Sequence, residues 1–352
     1  MLAIDAMGGD SGPHAVIDGI ALAVRQGVKG RFLPFGDAAT LTPIVEQAGV
    51  SAICEVRHAE KVVQMTDKPS HVIRRGRDTS MWHAMSAVKS GEAQAIVSSG
   101  NTGALMAMGR LQLRMIDGVD RPAISALWPT LRGKSIILDV GANVEADEKQ
   151  LVQFAIMGEA FFRALNGTQK PTVGLLNVGA EDLKGDELIR KAAKILREAD
   201  PDMAFTGFVE GDDISKGAVD VVVTDGFTGN VAIKTAEGAA RLLGQWVKDA
   251  LSGTINARIG SLFMMPGLRK LKARMNPSSA NGGVFLGLNG IVVKSHGGAD
   301  AQGFASAAVM AANLANKPFL DEVRDTVKSV TDRQAAMRAS EPDQPTFEKA
   351  AS

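Results

Sequence analysis

Ala95-Ile96-Val97-Ser98-Ser99-Gly100-Asn101-Thr102-Gly103-Ala104-Leu105 opens on a short apolar run, passes through a loop of Ser, Gly and Asn, and enters a helix-like segment. An apolar, β-branched run bounded by glycine reads as a strand buried on both faces. The polar loop after it reads as a strand-to-helix turn. The same order of run, loop and helix recurs at residues 2–10, 135–143, 172–186 and 219–230. Buried strands alternating with helices predict an α/β fold, a layered α/β/α Rossmann-like sheet of parallel strands. In such sheets the loops after the carboxyl ends of the strands build the ligand site. The glycine-rich loops are therefore expected to converge on one crevice, although any one of them alone would be only a tight turn.

Working outward, residues 238–280 break this pattern. Leu242, Leu243, Trp246, Val247 and Leu251 fall at helical spacing, followed by Ile255, Ile259, Leu262 and Phe263. Pro266-Gly267 reads as a turn between two helices. The expectation is one α/β/α catalytic domain over residues 1–339, carrying an inserted amphipathic helical hairpin at 238–280. Strand-like sequence resumes over 282–298, and the polar residues 340–352 read as a frayed tail.

The chain has 352 residues, 45% of them hydrophobic, enough for a substantial core. Acidic and basic residues balance at 39 each, which argues against a general nucleic-acid binder. The single cysteine, Cys54, cannot close an intramolecular disulfide and sits in an apolar run, so it reads as a core thiol in a cytoplasmic protein. The start of the chain lacks a signal-peptide pattern, and no run of about 18 apolar residues could span a bilayer.

Common catalytic signatures are missing: no phosphate-binding loop ending in Lys-Ser/Thr, no dinucleotide fingerprint, no nucleophile elbow. The five histidines are scattered, without zinc spacing. The sequence shows no activated serine or cysteine, no bound-metal motif and no standard nucleotide loop, so the expectation is a reaction whose nucleophile comes from a substrate. Two loops read as anion cradles. Residues 98–103 follow a strand and open a helix, where free N–H groups and the helix dipole favour phosphate. Residues 224–230, Thr224-Asp225-Gly226-Phe227-Thr228-Gly229-Asn230, repeat the design.

These segments resemble the bacterial phosphate acyltransferases of phospholipid synthesis. The resemblance rests on Asp5-Ala6-Met7-Gly8-Gly9-Asp10, Ser99-Gly100-Asn101-Thr102-Gly103-Ala104-Leu105, Leu138-Asp139-Val140-Gly141-Ala142-Asn143, and Leu176-Asn177-Val178-Gly179 with Lys184-Gly185. Residues 222–230, Gly287-Leu288-Asn289-Gly290 and His296-Gly297 extend it, in order along most of the chain. It implies a fold akin to the isocitrate and isopropylmalate dehydrogenases and phosphotransacetylase. It also implies transfer of a fatty acyl group from acyl carrier protein to inorganic phosphate by a homodimer at the inner membrane face, with no metal or cofactor. The acyl-phosphate would pass to a glycerol-3-phosphate acyltransferase.

Phosphate attack on a thioester needs orientation and charge stabilisation more than a strong base. The resemblance makes Lys184 the first candidate for that charge; spacing alone favours a surface lysine paired with Glu181 or Asp182. Asn230 is a candidate oxyanion donor or a helix cap. His296 is a candidate proton donor to the departing thiolate or a structural histidine. Asp5, Gly8, Gly9, Asn101, Thr102, Gly103, Asp225 and Thr228 are the expected phosphate and acyl-phosphate contacts. Between residues 250 and 299 there is no Asp or Glu, while Arg258, Arg269, Lys270, Lys272, Arg274 and Lys294 are basic and Phe263 and Met264 sit at an apolar tip. That pattern suits docking of an acidic carrier protein and an anionic membrane surface, or burial of the tip in a dimer. An oxidoreductase on the same architecture and a non-catalytic membrane scaffold remain the competing readings.

Overall fold

The computed structural model describes residues 1–199, 203–254, 261, 263–268 and 282–340. Its strands are β1 Leu2–Asp5, β2 Phe32–Gly36, β3 Arg57–His58, β4 Ala95–Ser98, β5 Ala123–Thr130 and β6 Gly133–Leu138. They continue with β7 Thr172–Leu176, β8 Ala204–Val209, β9 Val221–Val223, β10 Gly283–Leu286 and β11 Ile291–Lys294. The helices are α1 Gly12–Arg25, α2 Ala38–Gln47, α3 Pro69–Arg75, α4 Ser80–Lys89, α5 Thr102–Gln112 and α6 Glu148–Asn166. After these come α7 Glu187–Ala199, α8 Gly211–Lys216, α9 Gly226–Ser252, α10 Ala301–Ala315 and α11 Phe319–Ser340.

Each recurring segment forms a strand followed by a helix: β1 to α1, β4 to α5, β6 to α6, β7 to α7 and β9 to α9. The strands join in one sheet, ordered β3-β2-β1-β4-β11-β10-β5-β6-β9-β7-β8. Apolar side chains cover both faces. Phe154, Phe161, Phe304 and Ile17 lie in one core, while Met81, Met85, Leu105 and Phe285 lie in another on the opposite face. Helix α6 is buried nearly all round, as its apolar sequence requires. It is held by a capping box between Asp147 and Gln150, and Phe161 meets Phe319 of α11 edge-on at 5.6 Å.

The sheet is not wholly parallel. β5 pairs antiparallel with both β6 and β10, and β10 pairs antiparallel with β11. The group β3-β2-β1-β4-β11 therefore runs opposite to β6-β9-β7-β8. The expectation of parallel strands throughout is corrected by this reversal. The carboxyl ends of β1, β4 and β11 point one way along the sheet and those of β6, β7 and β9 the other, but the pairings of Lys294 with Gly283, Gly283 with Ala126 and Ala126 with Ile137 bring the two sets of ends to the same level. Sequence pattern misses this because a fully buried antiparallel strand and a parallel one are equally apolar.

Helix α9 links the two groups. It starts at Gly226, twelve residues before the expected hairpin, and runs unbroken to Ser252. Its first turn presses on the loop after β6. A Cβ at Gly229 would lie 1.9 Å from the Asp139 carbonyl oxygen, and one at Gly226 would lie 2.2 Å from that of Asn143. Eight residues on, about 12 Å along the axis, Lys234 acts electrostatically on Lys294 and His296 after β11. The turn expected at Pro266-Gly267 is also corrected, since residues 263–268 are helical. Arg258, Arg269, Lys270, Lys272, Arg274 and residues 341–352 lie outside the described residues. Among the described residues no helix is long and apolar enough to cross a membrane.

Two glycines of α9 should respond oppositely to alanine. Gly229→Ala forces the helix off the Asp139 loop and should destabilise by about 1–3 kcal/mol. Gly244 has nothing within 4 Å of an added Cβ, so Gly244→Ala should stabilise by up to about 1 kcal/mol through helix propensity. Thermal midpoints of the two variants measure both.

Candidate active site

Three loops follow β1, β4 and β11. Asp5, Ser98 and Lys294 are in register at the ends of β1, β4 and β11, so their side chains share one face of the sheet. Asp5 is fully buried and does not line an open cradle. Its carboxylate accepts from Ser80 Oγ at 2.6 Å and Ser98 Oγ at 2.7 Å, tying α4 and β4 to β1. Burial raises its pKa above the usual carboxylate value, against the opposing pull of those two hydroxyls. Gly8 packs directly on this unit: a Cβ there would stand 2.6 Å from Asp5 Oδ2 and 2.9 Å from the Gly100 backbone. The loops after β1 and β11 are tied by Asp10 N–H donating to the Gly297 carbonyl at 2.8 Å.

Asn101 caps α5, its Oδ1 accepting from Ala104 N–H at 3.0 Å. Its Nδ2 donates to the carbonyls of Met65 at 2.8 Å and Asp67 at 3.0 Å, pinning the 64–67 loop. A neutral cap leaves the positive end of the helix dipole uncompensated. Thr102 and Gly103 occupy the first turn, where backbone N–H groups have no intrahelical acceptor. Gly9 lies alongside, against Ser99 and Gly297.

The second loop read as a cradle is built differently. Asp225 caps α9, accepting from Thr228 N–H at 2.8 Å and from Thr228 Oγ1 at 2.8 Å. A carboxylate already occupies the place an anion would take, so these two residues satisfy each other. Asn230 is exposed on the next turn, facing the backbone of Gly141. It is not the cap. The loop beneath is organised by Asp139, whose carboxylate accepts from Ile124, Gly141, Ala142 and Asn143 backbone N–H groups at 2.7–3.1 Å.

Lys184 follows β7, in the same loop set as α9's first turn. Its ammonium is exposed and pairs with Glu181 at 2.8 Å, the arrangement that spacing alone favours. That hydrogen bond, with Glu181's charge, holds its pKa above the ordinary lysine value. Lys184 is thus a cation at neutral pH and not a base. Its loop is closed by Asn177, whose Nδ2 donates to the carbonyls of Gly179 at 3.1 Å and Lys184 at 3.0 Å. His296 follows β11. It is exposed, and its Nδ1 accepts from Gly298 N–H at 3.2 Å, leaving the ring proton on Nε2. Partial burial, then Lys234, lowers its pKa. A neutral imidazole at pH 7 can offer an N–H hydrogen bond but is a weak acid towards a thiolate.

The expected residues fall into two loop sets. Asp5, Gly8, Gly9, Asn101, Thr102, Gly103 and His296 belong to the loops after β1, β4 and β11, while Lys184 follows β7 and Asp225, Thr228 and Asn230 follow β9. Sequence reasoning passed over Asp139, Asn143 and Asn177, which shape the loops. It also placed Lys294 with the basic hairpin, whereas Lys294 is buried at the end of β11. A lysine closing the run Ile291-Val292-Val293 was the available signal. Phe263 and Met264 are exposed, at 85% and 57%.

Residues 1–321 match the family model described as Fatty acid synthesis protein. The chain belongs to this family. A phosphate acyltransferase of Maricaulis maris is 56% identical over 92% of the chain and 93% of its own length. One from Caulobacter vibrioides is 52% identical over 97% and 95%. The chain is an acyltransferase of fatty-acid and phospholipid synthesis. Its fold matches those of solved dehydrogenase-like α/β proteins at low identity. A phosphotransacetylase from Streptococcus pyogenes aligns with TM-score 0.58 at 15% identity, covering 90% of this chain and 94% of that one. A 4-hydroxythreonine-4-phosphate dehydrogenase from Burkholderia phymatum aligns with TM-score 0.51 at 16%, covering 89% and 97%.

Two changes at Asn101 separate capping from charge. Asn101→Ala removes the cap and should cost about 0.5–2 kcal/mol of stability. Asn101→Asp keeps the cap but places a negative charge at the helix end. It should raise the KM for phosphate more than the alanine change does, as steady-state kinetics with varied phosphate would show.

Proposed function

We propose that the protein transfers a fatty acyl group from acyl carrier protein to inorganic phosphate, giving acyl-phosphate for phospholipid synthesis. The observation that carries this is the close relationship to phosphate acyltransferases along nearly the whole chain. The loops described above supply backbone amides, amide side chains and ammonium groups in place of an activated serine or cysteine. That inventory suits a substrate nucleophile.

In the proposed step an oxygen of hydrogen phosphate attacks the thioester carbonyl carbon. The new C–O bond forms as the carbonyl becomes an oxyanion, and collapse breaks the C–S bond. The phosphate hydroxyl proton ends on sulfur, so dianionic phosphate and thioester give dianionic acyl-phosphate and a thiol. Lys184 would oppose the developing charge, Asn230 would donate its amide to the oxyanion, and His296 would hydrogen-bond a reacting oxygen or sulfur. Fixing two reactants in place can contribute up to roughly 7–11 kcal/mol. This assignment requires residues of both loop sets to serve one substrate, with α9 between them.

Exposed Phe263 and Met264 support contact of that segment with carrier protein and an anionic membrane. Phe227, Val231, Leu242 and Trp246 are exposed along one side of α9, which suits a homodimer contact. The protein is proposed to work in the cytoplasm, peripherally on the membrane.

The deciding experiment is thiol release from acyl carrier protein with and without phosphate, trapping acyl-phosphate with hydroxylamine. Release without phosphate, or no trapped product, would falsify the reading. Activity should survive a chelator. Lys184→Ala should lower kcat at least about tenfold with the fold intact; an unchanged kcat removes Lys184 from the site. Cys54 is buried, and burial pushes its thiol up to about 12, leaving roughly one thiolate in ten thousand at pH 8. It should resist alkylation in the native protein, and Cys54→Ser should keep its kcat.

A further inference from the structure

Lys294 is a buried cation held by neutral partners. Only 7% of it is exposed. Its Nζ donates to the Ser99 carbonyl at 3.2 Å and to the Ser295 carbonyl. Among the described residues it forms no ion pair. Asp5 is the nearest carboxylate on its face of the sheet, but Ser98 stands between them and already donates to Asp5. Asp10 contributes field from the exposed rim, beside Gly297. Removing an ammonium from water without a bonded anion is costly, so buried cations are ordinarily paired.

The surroundings add positive potential. Lys234 and Arg241 of α9 share the single carboxylate of Glu237, at 3.0 and 3.9 Å. Both bases act on His296, and Lys234 acts on Lys294 as well. The carbonyl that Lys294 holds belongs to Ser99, the residue that leads into the neutral-capped start of α5.

We propose that Lys294 is the anion-holding cation of the loop cluster formed by residues 8–10, 99–103 and 295–297, and that inorganic phosphate is the anion it takes. This rests on the reading of the protein as a phosphate-dependent acyltransferase. The ammonium would fix the Ser99–Ser295 junction and neutralise the phosphate, leaving the backbone N–H groups of Thr102 and Gly103 to orient it. Burial lowers the free ammonium to about 8, with Asp5 and Asp10 opposing the shift and Lys234 adding to it. The charge is therefore present below about pH 8 and lost above it. Phosphate is mainly dianionic on both sides of that pH, and His296 is neutral there.

The test is steady-state kinetics of the full chain with acyl carrier protein, varying phosphate across pH. Wild type should show an alkaline loss of kcat/KM for phosphate that is much weaker for the carrier protein. Lys294→Met should raise the phosphate KM at least about tenfold, the worth of a charge-assisted hydrogen bond, with the carrier-protein KM within about twofold. Lys294→Arg should restore most phosphate affinity and lose the alkaline limb, because guanidinium stays charged. A folded Lys294→Met with unchanged phosphate KM overturns the proposal. If that variant does not fold, an alkaline limb persisting in Lys294→Arg overturns it instead. Should wild type show no phosphate-dependent thiol release, the acyltransferase reading fails separately. The anion site is then judged by the rise in melting temperature with phosphate over chloride at equal ionic strength. A rise in wild type that fades above pH 8, but persists in Lys294→Arg, supports the site; no rise in wild type overturns it.

Discussion

Antiparallel pairing at β5 decides where everything else can stand. The tight β5–β6 hairpin reverses the chain between two groups of parallel strands, and β10 makes the complementary reversal before β11. Because helix dipoles and strand ends follow chain direction, this one geometric fact makes two sets of glycine-rich loops leave their strands in opposite senses from one level of the sheet. A wholly parallel sheet would have pointed them all the same way. The long α9 joins them, with its amino end seated on the Asp139 loop and Lys234 acting on His296 and Lys294. A site drawn from both sets depends on α9 keeping its place along its own axis.

Within each set the loops are fixed by buried polar side chains spent on backbone. Asp139 gathers four N–H groups, Asn177 holds two carbonyls, and Asn101 does both jobs at once. Leaving any of those partners unpaired inside the protein would cost about 1–3 kcal/mol each. The loops can therefore be glycine-rich and still well ordered. The contrast between Asn101 and Asp225 is chemical rather than conformational. The same strand–loop–helix shape receives a neutral cap in one place and an anionic one in the other, and only the neutral cap leaves a helix end able to attract phosphate.

The strands and their following helices were legible because apolar runs and glycine punctuation are local signals. The family was legible because its motifs are ordered along the chain. Strand direction was not, since β10 and β5 carry the same apolar, β-branched content as their parallel neighbours. Pro266-Gly267 failed as a turn signal because neither residue by itself ends a helix: glycine costs about 1 kcal/mol and proline about 3 kcal/mol, sums that surrounding residues can outweigh. Lys294 was misplaced for a related reason. Counting charge along residues 250–299 treats every lysine as solvated, while register with Ser98 and Asp5 puts this one under the loops. Asp225 and Asn230 were one short segment in sequence, yet the carboxylate turned out to be the cap and the amide to be exposed.

The burial of Cys54 bears on what a thiol-releasing enzyme must survive. On the proposed chemistry, every turnover liberates a carrier thiol close to the protein surface. Any accessible cysteine there would be a partner for mixed-disulfide formation whenever the surroundings turn oxidising. With its one sulfhydryl held beside the Phe32 strand and almost never ionised, the protein offers its own product nothing to exchange with. Oxidative stress could then reach this step through the carrier but not through a covalent trap on the catalyst.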